Sequence, residues 1–272
     1  MGLLVVLPMQ EATGEPQVVA AGSRWRAATT EMSAFATQSF RSFLGTRGAF
    51  TGLFFALLPS GAMALGLALQ SNLAVELGMN DDQVGWINIW SSLITAVFCV
   101  LGGMWSDKFG RRKMLFIYMA LMSVPTLYLA WVLSQYGWIM PVPQNGSARP
   151  VVPAALLTAF WVAVLSYSLF QGLMYGTRSA IFMDVTNPKV AATQFTAYMA
   201  LLNLGIAYTA TWQGIAIEAW GYPRTLVIDA IAGLLCLILL PLMARKKGED
   251  DLQSDAAAPT RARAVAGVLA LL

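Results

Sequence analysis

The sequence has no histidine, only two cysteines in 272 residues, and 11% charged side chains. Without imidazole, and with its cysteines far apart, the chain cannot build a zinc site, a Cys-His pair or a Ser-His-Asp triad. Cys99 and Cys236 lie in separate apolar stretches and read as small buried hydrophobes, with no disulfide framework implied. No metal and no cofactor is expected. Soluble domains carry about 25% charged residues. A share of 11%, beside 57% hydrophobic residues and a mean hydropathy of +0.62, describes a protein that faces lipid. The net charge of +3 is small and its basic residues cluster at predicted membrane edges, which is a topology signal and not a nucleic-acid footprint.

A bilayer core about 30 Å thick needs roughly 20 apolar helical residues. Six stretches have that length: Phe50 to Ala74, Val84 to Trp105, Met114 to Leu133, Ala154 to Tyr175, Phe195 to Ile217 and Thr225 to Ala244. The expected fold is therefore all-α, a polytopic bundle of six transmembrane helices. Arg24, Arg26, Arg41 and Arg47 precede the first span, and Lys108, Arg111, Arg112 and Lys113 follow the second. Arg178 and Lys189 follow the fourth, and Arg245, Lys246 and Lys247 follow the sixth. The alternate loops hold mainly Glu76, Asp81, Asp82, Arg149, Glu218 and Arg224. Excess Lys and Arg mark cytoplasmic loops, so both termini are expected in the cytoplasm.

Three regions follow: a cytoplasmic segment over 1–45, the membrane domain over 46–247 and a tail over 248–272. The first 30 residues lack sustained periodicity and read as largely disordered. Met1 to Pro8 is too short and lacks the basic flank of a signal peptide. Met32, Phe35, Phe40, Phe43 and Leu44 fall at roughly helical spacing, which fits either an amphipathic surface helix or an extension of the first span. The loop Tyr136 to Pro153 holds four prolines that prevent regular helix. Its Asn145-Gly146-Ser147 matches a glycosylation sequon by pattern, and a chance match is the better reading.

The most telling segment is Gly103-Met104-Trp105-Ser106-Asp107-Lys108-Phe109-Gly110-Arg111-Arg112-Lys113, a short turn between the second and third spans. Gly103 removes a side chain where the second helix nears a neighbour, and Gly110 allows a reversal at φ > 0. Asp107 is a carboxylate at the membrane edge, either among cations or facing the N-terminus of another helix, both of which stabilise its charge. The spacing G-x-x-x-D-K-x-G-R-R-K resembles the loop signature of the major facilitator superfamily of secondary transporters. That resemblance implies a conformational latch, in which Asp107, Arg111 and Arg112, flanked by Lys108 and Lys113, hold one gating state without touching substrate.

A narrower resemblance covers about 20 residues, Arg178 to Asp184 and Pro188, then Thr193-Gln194 to Tyr198. It is similar to the junction of the fourth and fifth spans in AmpG-type permeases, the branch that includes muropeptide, siderophore and acetyl-CoA transporters. Arg178 and Asp184 are expected near the inner surface, either as gating partners of the Asp107 cluster or as plain interfacial anchors.

Polar groups within spans tend to face the bundle interior, because hydrocarbon leaves them unpaired. The candidates for a translocation path are Gln70, Asn88, Gln171, Asn203, Gln213 and Asp229, with Asn72, Tyr167, Gln194 and Tyr208 beside them. Asp229 is either a coupling or substrate group or a near-interface partner of Arg224; the pairing is slightly preferred. Uncharged Gln and Asn more often serve as interhelical glue. Gly48-xxx-Gly52 and Gly172-xxx-Gly176 mark close helix packing. Trp86, Trp90, Trp131, Trp138, Trp212 and Trp220 read as an interfacial belt.

Members of the superfamily usually have twelve spans in two halves, with substrate between them, so six spans resemble one half. The expected partners are the lipid bilayer, a small-molecule solute, and a homodimer mate or a missing second half. The leading expectation is a proton-coupled secondary active transporter, or half of one, in a bacterial inner membrane. The alternative is a non-transporting six-span scaffold or regulatory half that pairs with a full transporter. An intramembrane enzyme is the weakest reading, since no nucleophile-base pair is visible.

Overall fold

In the computed structural model, the structure describes residues 46–142, 151–187 and 190–243, with the single positions Ser33, Thr37, Arg41, Phe43 and Leu44. The Asn145 sequon, the flanking cations Lys189 and Arg245 to Lys247, the tail and most of the Met32 to Leu44 segment lie outside those residues. The chain divides into two compact units, Met1–Phe40 and Arg41–Leu272. In the first, the Thr37 hydroxyl donates to the Ser33 carbonyl at 2.7 Å. The second holds the helices: α1 (Arg47–Leu57), α2 (Ala68–Glu76), α3 (Asp81–Phe109), α4 (Arg111–Gln135), α5 (Ala154–Val185), α6 (Ala191–Trp220) and α7 (Tyr222–Leu235), with 3₁₀ turns at Ala64–Gly66, Cys236–Ile238 and Leu240–Met243. No strand occurs among the described residues.

Four helical segments are long and apolar enough to cross a membrane: α3, α4, α5 and Tyr222–Met243, which contains α7. They match the expected second, third, fourth and sixth spans. The expected first span is not continuous. Pro59 has no amide hydrogen and its ring excludes the preceding residue from helix, and Leu58 is accordingly extended at ψ 151°. The chain leaves the helix at Leu58, crosses a buried stretch Ser60–Leu65, and resumes as α2. The expected fifth span is the 30-residue α6, which is not among the four; Gln194, Asn203, Tyr208 and Gln213 lower its hydropathy.

Local chemistry sets the helix ends. Asn80 starts α3 with a reciprocal cap: its Oδ1 accepts from the Gln83 amide at 2.8 Å, and its own amide donates to Gln83 Oε1 at 3.1 Å. Asp81 and Asp82 then face the positive end of the helix dipole. Helix α3 runs to Phe109 and α4 begins at Arg111, with Gly110 alone between them at φ +97°. The connection expected between Trp105 and Met114 is thus mostly helix, and the reversal rests on one residue.

The loops gather at two ends of this unit. At one, the Tyr222 amide donates to the Ile139 carbonyl at 2.8 Å and the Val142 amide to Glu76 Oε2 at 3.3 Å. At the other, Arg112 Nη2 donates to the Met243 carbonyl at 3.3 Å, and Gly48 packs on Val185 and Met243. Between them, α5 packs along α3 and α4, α7 lies on α4, and α1 lies on α6. Phe55, Leu73, Met119, Phe160, Phe182 and Tyr198 lie in the buried core.

Candidate functional site

Three features carry the polar chemistry. The first is at the α3–α4 junction. Arg111 is tied to Asp107, one turn back across Gly110, with Nη2 at 2.7 Å and Nε at 2.8 Å from Oδ1. Its Nη1 lies 2.6 Å from Oδ1 of Asp184, near the end of α5. One guanidinium therefore bridges the last turn of α3 to α5. The side chains are 35%, 58% and 49% exposed for Arg111, Asp107 and Asp184. Solvent reaches all three, so each pair contributes at most about 1 kcal/mol. Such a bridge can be broken and remade thermally.

The neighbours behave differently from one another. Arg112 reaches the Met243 carbonyl instead of a carboxylate. Lys108 lies 5.6 Å from the Phe109 ring centroid, and Lys113 is exposed. Arg178 does not join the Asp107 cluster. It is buried, its guanidinium lies 4.8 Å from the Tyr175 ring centroid, and it has no carboxylate partner among the described residues. A Cβ at Gly103 would meet nothing within 4 Å; the close approach belongs to Gly102, where a Cβ would lie 2.4 Å from the Leu173 carbonyl oxygen.

Gly102 is part of a seam between α3 and α5. A Cβ at Gly172 would meet the Thr95 carbonyl oxygen at 2.5 Å, and one at Gly176 the Cys99 carbonyl oxygen at 2.2 Å. Two hydroxyls stitch the same seam: Thr95 donates to the Ser168 carbonyl at 3.1 Å, and Thr177 to the Gly102 carbonyl at 3.1 Å. Backbones touch here because side chains are missing.

The second feature is an open groove of about 640 Å³ beside this seam. It brings together Gln70 from α2, Asn88 from α3 and Gln171 from α5, with the hydroxyls of Ser91, Ser92, Thr95, Ser168, Tyr175 and Ser179. Gln171 donates to the Tyr167 hydroxyl at 3.3 Å. The other path candidates lie elsewhere. Asn203 and Asn72 are exposed. Gln194 accepts from the Asn187 amide at 2.7 Å and donates to the Tyr198 hydroxyl at 3.3 Å, so it braces the start of α6.

The third feature is the break between α1 and α2. Asp229 on α7 is 1% exposed. Its Oδ2 accepts from the amides of Met63 and Ala64 at 2.8 and 2.9 Å, and its Oδ1 from Gln213 Nε2 at 2.7 Å. It is not bonded to Arg224, which is exposed at the start of α7. The slightly preferred Arg224 pairing is therefore replaced by a cap on irregular backbone. Tyr208 does the complementary task, its hydroxyl donating to the Leu57 carbonyl at 2.6 Å. Inside a membrane bundle, unwound backbone needs such side-chain partners. Of the expected aromatic belt, Trp86, Trp90, Trp131 and Trp220 are exposed but Trp138 is buried, because the 136–142 turn folds onto α7.

The profile of the Major Facilitator Superfamily matches residues 31–271. The chain belongs to the major facilitator superfamily. Members of that family are transporters and generally not enzymes, and the apolar helices make this chain an integral membrane protein. No solved structure matches the chain. The Arg111 bridge and the polar groove involve the same two helices, α3 and α5.

Proposed function

We propose that this chain is a secondary active transporter, or a six-helix half of one, that moves a small polar organic solute by alternating access. One observation carries the reading: the polar groove opens along α3, whose apolar window is 6% buried against 39–56% for the other three candidate spans. Amides and hydroxyls at that depth are costly against hydrocarbon and fit a water-filled path. A second six-helix half, from another copy or a longer polypeptide, would close that path on its far side.

The Arg111 bridge lies at the end of the same helix pair, so opening the path at that end changes the distance between Asp107 and Asp184. The bridge is weak enough to yield at each cycle. Coupling to the proton gradient and a solute like those of the AmpG-type branch belong to the same proposal. So does an inner bacterial membrane with both termini inside. The orientation is supported by charge: Arg47, Lys108, Arg111, Arg112 and Lys113 sit at the bridge end, and Arg224 is the described cation of the other.

The test starts with the mass of the purified chain in mild detergent, by light scattering with the detergent subtracted. A particle near twice 29.3 kDa, followed by proteoliposome uptake that an imposed pH gradient drives and Asp107→Asn slows, supports the reading. A monomer that takes up nothing yet copurifies with a full transporter overturns it in favour of a regulatory half.

A further inference from the structure

The face formed by α4 and α7 carries a separate cavity of about 600 Å³ that shares no residue with the polar groove. Its wall is apolar: Leu127, Ala130 and Trp131 from α4, Val227 and Ile228 from α7. Leu127, Val227 and Ile228 are 38–42% exposed, and Trp131 is 61% exposed. These residues lie within segments that qualify as membrane spans. An apolar wall on such spans suits acyl chains better than water.

Its rim is polar and cationic. Arg224 lines it beside Trp220 and Ser134. Asp229 is engaged by other donors, so Arg224 is left exposed, with no ion pair among the described residues. The charged groups described at this end are otherwise acidic: Glu76, Asp81, Asp82 and Glu218. Arg224, the described cation of this end, flanked by two exposed tryptophans, has the composition of a membrane–water interface, where indole rings settle at headgroup level. From Ser134 down to Leu127 the groove descends seven residues of helix, about 10 Å, which is room for the upper part of a fatty acyl chain.

We propose that this cavity is a binding site for an anionic phospholipid, its phosphate held by Arg224 and one acyl chain laid between α4 and α7 over Trp131. Charge selects the headgroup, and the apolar trough fixes the position. The site shares no lining residue with the polar groove and so does not depend on the transported solute.

The experiment is native mass spectrometry of the delipidated chain in mild detergent, titrated with phosphatidylglycerol or phosphatidylcholine of the same acyl composition. Retention of the first phosphatidylglycerol is expected to exceed that of phosphatidylcholine roughly fivefold, the worth of one basic residue near a lipid surface. Arg224→Gln should abolish the preference and Arg224→Lys should restore it, while Arg112→Gln, at the opposite end, should leave it intact. Glycerophosphoglycerol, the headgroup without acyl chains, should not compete. Equal retention of the two lipids, a preference that survives Arg224→Gln, or full competition by the free headgroup would each overturn the site. Misfolding is monitored by the unchanged monodispersity of Arg224→Lys.

Discussion

Asp229 and Ala64 stand 165 positions apart and meet through a carboxylate oxygen 2.9 Å from a backbone amide. The same oxygen holds Met63, and the other holds Gln213. Neither amide has an intrahelical acceptor, because Pro59 has already ended α1. Asp229→Leu strands three buried donors, the amides of Met63 and Ala64 and the side-chain amide of Gln213, each at about 1–3 kcal/mol. A clear fall in the detergent melting temperature is expected, larger than for Gln213→Leu, which removes one bond. Thermal unfolding by intrinsic fluorescence checks the order; equal melting for Asp229→Leu and the parent chain would show the break to be held by something else.

Adjacent glycines at the α3–α5 seam should respond in opposite ways. Gly102→Ala or Gly176→Ala places a Cβ within 2.4 Å of carbonyl oxygen on the facing helix and should separate the pair. Gly103→Ala meets nothing within 4 Å and should gain roughly 0.5–1 kcal/mol from helix propensity. Proteolysis and melting in detergent would rank the three variants.

The Arg111–Asp184 bridge is half-exposed, so a double-mutant cycle with Arg111→Gln and Asp184→Asn should return a coupling of about 0.2–1 kcal/mol. That coupling should shrink between low and high salt, since the Debye length falls to about 3 Å at 1 M. Its effect on uptake should exceed its effect on melting. A large stability loss with unchanged uptake would mark the bridge as structural.

Tyr198 donates to the Ala49 carbonyl at 3.0 Å and stacks on Phe182 at 5.0 Å between centroids. Tyr198→Phe keeps the ring and removes the hydroxyl, costing about 0.5–1.5 kcal/mol. Tyr198→Ala also empties a fully buried volume and should cost about 3–5 kcal/mol, as large aromatic truncations do. The gap between the two variants separates the hydrogen bond from the packing.

What the sequence made legible was what short range determines. Asp107 and Arg111 lie four positions apart around a glycine, a spacing at which helical side chains meet, and Gly110 does take the positive φ. Gly172 and Gly176 likewise announce a close crossing. Partners set by tertiary packing were not legible: nothing local to Asp229 points to amides near position 63, and although Tyr175 lies three positions before Arg178 on α5, within helical reach, nothing local shows that Arg178 is buried away from the Asp107 cluster. The choice of Gly102 over Gly103 depends on a rotation of roughly 100° per residue about the helix axis, finer than a span boundary read from hydropathy. The break in the first span had a signal in Pro59-Ser60-Gly61, but its apolar surroundings read through it.

Gly110 as the whole connection between α3 and α4 has a mechanical consequence. A longer loop would act as a slack tether and absorb displacement. Here one glycine is the whole joint, and α4 is seated on α7. The last turn of α3 and the first turn of α4 therefore cannot part by more than one residue's reach, and any displacement of that end of α3 against α5 has to be met by the start of α4 or by rotation about Gly110.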